Sequence, residues 1–105
     1  MDTLLEKMEA VMAAITEMNE LFYQQKTKEG LDRLDRVIPD IGNTIDAIYA
    51  YGEEHAECSL GEVEFMEVLN EALAAMEAAD YVMLADILQY DMMDKLEEAK
   101  NRIAG

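Results

Sequence analysis

Positive charge is missing from the whole middle of this sequence. Between Val37 and Asp94 there is no Lys or Arg, while Asp and Glu recur throughout the interval, and the 8 basic against 24 acidic residues of the chain leave a net charge of −16. Such a field repels phosphate backbones and anionic lipid, so nucleic-acid and membrane binding are excluded as functions. A basic protein partner, or cations, would be attracted; the plainer reading is that acid-rich faces keep a small helical protein soluble. No apolar run comes near the roughly 18 residues of a membrane span. Asp2, Glu6, Lys7 and Glu9 interrupt the N-terminal apolar residues, so no signal peptide is expected.

Cysteine and histidine are nearly as scarce. One cysteine, Cys58, cannot form an internal disulfide, which fits a reducing compartment and a cytoplasmic, bacterial-type protein. One histidine, His55, rules out a di-iron bundle, which needs Glu-x-x-His on two helices. Calcium loops of the D-x-D-x-D-G kind are absent. Cys58 and Ser59 have neither a basic partner nor a Gly-rich elbow around them. We therefore expect no enzyme activity, no catalytic residue and no cofactor.

What is present is helical periodicity. The 105 residues fit one domain, and 51% hydrophobic composition with a sustained repeat argues against disorder. Leu4, Met8, Val11, Ile15, Met18 and Phe22 form a heptad-like stripe that ends at the polar run from Gln24 to Lys28. Leu31, Leu34, Ile38, Ile41, Ile45 and Ile48 continue the repeat straight through Pro39. Proline removes one backbone hydrogen bond and clashes with the preceding turn, so the unbroken phase predicts one helix kinked near Pro39, with Gly42 leaving a true break open. The stretch from Tyr51 to Cys58 loses the period and reads as a turn. Ser59-x-x-Glu62 then carries a capping-box spacing, predicting a third helix from Ser59 with Val63, Met66, Leu69, Leu73 and Met76 as its apolar face, helped by Phe65, Ala72 and Ala75.

The last helix candidate, Ala79 to Ile103, is the most apolar. Asp80 is placed to cap it, and Tyr81, Ala85, Leu88, Met92, Leu96, Ala99 and Ile103 make its core stripe. Short links between long helices then give an all-α, up-down four-helix bundle as the expected fold class, with Leu4, Val11, Ile15, Phe22, Leu34, Ile38, Ile41, Ile45, Ile48, Leu69, Leu73, Leu88 and Met92 in its core. Apolar residues also stand off the last stripe: Met83, Ile87 and Tyr90 follow at i, i+4, i+7, with Met93 nearby. That is the spacing by which a helix presents anchors to a partner. Either neighbouring helices cover this face or it binds another molecule, and if it is open a two-fold homodimer is the simplest closed solution.

The other candidate centre is the turn with His55 and Cys58. His55-x-x-Cys58 supplies two zinc ligands, but a tetrahedral site needs four, and no further His or Cys exists. Phosphotransfer domains are also small acidic four-helix bundles with one exposed histidine. In that family the histidine lies in mid-helix before a Leu, Lys and Gly pattern, whereas here Glu57 and Cys58 follow and Arg36 is the only cation within twenty residues.

The segment Asp80-Tyr81-Val82-Met83-Leu84-Ala85-Asp86-Ile87-Leu88-Gln89-Tyr90-Asp91 resembles one that closes small, uncharacterised all-helical bundles of bacteria, with Gln89 where an acidic residue is expected. That likeness implies a helical bundle and no activity. In size, acidity and helical pattern the chain is also similar to flagellar and secretion export chaperones, which implies a protein-binding module that holds a client's amphipathic segment. The reading from sequence is a non-enzymatic protein-binding module, using Met83, Ile87, Tyr90 and Met93 on a basic or amphipathic protein partner, with a single-histidine phosphotransfer or metal-binding bundle centred on His55, with Cys58 beside it, as the alternative.

Overall fold

In the computed structural model, which describes Asp2 to Gly105, every long element is a helix. Helix α1 spans Asp2–Tyr23 and α2 spans Thr27–Glu54, running unbroken past Pro39. Helix α3 is the short Met66–Glu77. The last helical run is α4, Tyr81–Asp86, then a π-helical turn, Ile87–Met92, then α5, Met93–Ala104. The residues at both joins keep right-handed helical dihedrals, so these three pieces form one rod and the described residues make four long helices. No strand occurs among the described residues, and none of their helices is long and apolar enough to cross a membrane.

Helix α1 packs along α2 on one side and along the last rod on the other, while α3 packs on α4 and the π turn. The α1 stripe behaves as its spacing predicts: Met8, Val11, Ile15, Met18 and Phe22 are all buried. Phe22 also joins three helices, because its ring stacks on Tyr81 at 5.6 Å and lies over Gly30 of α2.

The turn between α1 and α2 and the one between α3 and α4 share a geometry. Gln25 (φ 64°) and Ala79 (φ 55°) are left-handed, and the next amide reaches back five residues, Lys26 N–H to Leu21 O at 2.8 Å and Asp80 N–H to Ala75 O at 2.9 Å. This is the Schellman stop, made here without glycine. Asp80 then caps α4, accepting from the Met83 amide at 3.1 Å.

The third helix departs from expectation. Ser59 is left-handed (φ 53°, ψ 39°) and makes no side-chain cap, and residues 56–62 form two short 3₁₀ turns, so the predicted capping box does not start a helix. The cause is tertiary: Leu60, Val63 and Phe65 are fully buried, at about 1.5–3 kcal/mol for each large apolar side chain removed from water. A helix from Ser59 could not send all three inward. Tyr49 donates to the Val63 carbonyl at 2.9 Å and meets the Phe65 ring edge-on, fixing this plug to α2. Arg102 holds it from the other side, donating to the Ser59 carbonyl at 3.0 Å and pairing with Glu62 at 3.2 Å. The face of α3 is shifted in consequence. Val68, Ala72 and Ala75 are buried, whereas Met66 and Leu73, expected inside, are exposed.

The π turn has its reason in the core stripe. Leu88, Met92 and Leu96 are spaced by two successive fours and all are fully buried. An α-helix advancing 100° per residue would let that spacing drift off the core, whereas the wider i→i+5 turn brings all three back to it. The Met93 amide bonds to the Leu88 carbonyl, five residues back. Across from this turn, buried Asn19 donates to Gln89 Oε1 at 3.1 Å, while Asn19 Oδ1 has no partner among the described residues.

Candidate partner-binding groove

Alanine on the face of α3 that meets the last rod leaves a channel between the two. Ala74, Ala75 and Ala78 line one wall, and Met83 and Ile87 line the other, bordering an open pocket of about 460 Å³. Small side chains leave this space because they cannot fill the distance between helix axes. Met83 is 53% exposed and Ile87 is half-buried, so two of the four expected anchors offer apolar surface here. Towards the α3 N-terminus lies a neighbouring pocket of about 450 Å³, lined mainly by carboxylates, including Glu64, Glu67, Asp94 and Glu98, with Lys95 as the one cation on its wall. Glu71 and Asp91 line both cavities and mark the junction.

Tyr90 and Met93, the other two expected anchors, do not line the channel. Because the π turn begins at Ile87, each residue after it advances by less than 100°, and the i, i+4, i+7 face is broken. Tyr90 stands 62% exposed beside Tyr23, and Met93 is half-buried against the core. Tyr23 donates to Asp86 Oδ1 at 2.6 Å. Partial burial, this bond and the negative charge of Asp86 together push its phenol up to about 12.

His55 and Cys58 lie at the far end of α2. The His55 ring stacks on Tyr51 at 3.9 Å, and its Nδ1 lies 3.0 Å from the Tyr51 carbonyl. Cys58 is a half-buried free thiol. Among the described residues no three His, Cys, Asp or Glu side chains come together as a metal site.

Residues 1–102 match a protein family described as a domain of unknown function, DUF8042. The chain belongs to that family. Membership covers nearly all of the chain and agrees with the expectation of an uncharacterised family. Neither the curated proteins nor the solved structures hold a match to it.

The groove residues that sequence reasoning did not assign to a site are Ala74, Ala75, Ala78, Glu71 and Asp91, although Ala75 was expected on the apolar face of the third helix. Their signal was small-residue spacing at i, i+1, i+4 on α3, flanked one turn earlier by a carboxylate.

Proposed function

We propose that this member of DUF8042 is a non-enzymatic, cytoplasmic protein-binding module of the adaptor or export-chaperone kind. It takes the apolar face of a partner's helix into the channel between α3 and the last rod. The observation that carries this is the alanine-walled pocket, which leaves Met83 half exposed and Ile87 on its rim between two helices. Acidic side chains around it favour a basic partner, and the −16 charge on each copy opposes a second copy of the chain as the occupant. The scaffold in this reading is an up-down four-helix bundle with α2 bent at Pro39; the tight turns at Gln25 and Ala79 and the packing of α1 between α2 and the last rod support it.

The test uses a synthetic amphipathic Leu/Lys helix and two variants of equal charge. Met83→Glu places a carboxylate in the groove, and Tyr90→Glu places one on the exposed side that does not line it. The reading expects Met83→Glu to weaken peptide binding at least tenfold and Tyr90→Glu to change it less than about twofold, both with helical circular dichroism intact. Equal effects, or none, would reject the groove as the binding site.

A further inference from the structure

The groove is not uniform along its length, and its two halves call for different chemistry. One half presents Met83, Ile87 and three alanines; the other presents Glu64, Glu67, Asp94 and Glu98, with Lys95 among them. Glu98 is engaged by Arg102 at 3.0 Å, and Glu64 accepts from the Met66 amide. Glu67, Glu71, Asp91 and Asp94 make no ion pair among the described residues. Lys95 can neutralise only one of them. Building this half therefore accumulates like charge along a cleft whose other half is apolar, and an occupant that brings cations there relieves the repulsion.

Resting on the groove reading above, we infer that the partner is a helix whose chemistry is split along its length, apolar at one end and basic at the other. The geometry sets the proportions. From Met83 to Ile87 is one turn, about 6 Å of rod, which accommodates two or three apolar side chains at i, i+3 or i+4. From Asp91 to Glu98 is about 10 Å, which accommodates Lys or Arg over the next two turns. A helix amphipathic along its whole length, with apolar and basic residues interleaved, places apolar groups against Glu67 and Asp94 and strands cations over Ala74 and Ala78. Placing charge over the apolar half forfeits both the burial and the ion pairing.

Two fluorescent helical peptides of identical composition separate the cases, one with its Leu and Lys residues segregated to opposite ends and one with them interleaved. Net charge and hydrophobicity are the same, so only their arrangement differs. Fluorescence anisotropy with the intact chain should show the segregated peptide bound at least about tenfold tighter, and Glu67→Lys with Asp94→Lys should erase that preference. Equal binding of the two peptides, with Met83→Glu still weakening both, would overturn the split partner and leave the groove standing. Binding of both peptides that ignores Met83→Glu would remove the groove reading, and this inference with it.

Discussion

The ring of Phe22 occupies the space where any side chain on Gly30 would begin. A Cβ built on Gly30 would lie 2.6 Å from the ring, whereas one on Gly42, in the same helix, meets nothing within 4 Å. Alanine raises helix propensity by about 1 kcal/mol over glycine at either position. At Gly42 that gain should appear in full. At Gly30 it is opposed by displacing a ring that also stacks on Tyr81, an overpacking cost of about 1–3 kcal/mol. We expect Gly42→Ala to raise the urea midpoint and Gly30→Ala to lower it. Two shifts of the same sign would contradict the packing described for Phe22.

Ala79 holds a left-handed conformation that suits glycine. Its φ of 55° is set by the Schellman bond from the Asp80 amide to Ala75. Ala79→Gly should stabilise the chain by up to about 1 kcal/mol, the strain relieved exceeding the added freedom of the unfolded chain. Chemical denaturation measures it, and a loss of stability would show that the turn is unstrained.

The bond between Tyr23 and Asp86 predicts a pH window. The Tyr23 phenol is raised from 10.0 to about 12, chiefly by partial burial and then by the Asp86 carboxylate. A raised pKa on a group that ionises to an anion means that its contribution is complete below pH 10 and is lost as pH rises through about 12. An ultraviolet titration should show a late tyrosinate step that Tyr23→Phe removes and Asp86→Asn moves down. A Tyr23 that ionises at the ordinary value would break the link.

Arg102 anchors the buried connection between α2 and α3 through the Ser59 carbonyl and Glu62. Arg102→Gln should cost about 1 kcal/mol and speed hydrogen exchange at the Glu62 and Val63 amides, which bond to Ser59 and Leu60, while leaving the middle of α3 unchanged. Uniform acceleration across the chain would mean that the arginine supports the whole fold rather than this connection.

Helix α1 was legible because one period ran its length: its stripe is buried from Met8 to Phe22, and only Leu4, at its first turn, is half-buried. The connection before α3 was not. Ser59-x-x-Glu62 is a local signal, and the burial of Leu60, Val63 and Phe65 that overrides it depends on Tyr49 and Arg102, remote in sequence. Leu73 was taken as core together with Ala72 and Ala75, yet only the two alanines are buried, because the start of α3 is set by the plug of Leu60, Val63 and Phe65 and its buried face turns away from Leu73. Alanine counts for little in an apolar pattern, which hid the groove whose wall it forms. Met83 and Ile87, expected on one face, both line the groove, and Tyr90 was lost from that face for a reason present in the spacing itself, the two successive fours from Leu88 to Leu96.

That π turn means the last rod is two helices out of step by one residue, sharing a core and not a surface. A relative one residue shorter within 87–92 would keep Leu84, Leu88 and Leu96 equivalents buried through an unbroken α-helix, yet turn a different set of side chains toward solvent. Within the family, a single-residue gap at this point would therefore change which side chains the outer face presents while leaving the core stripe in place.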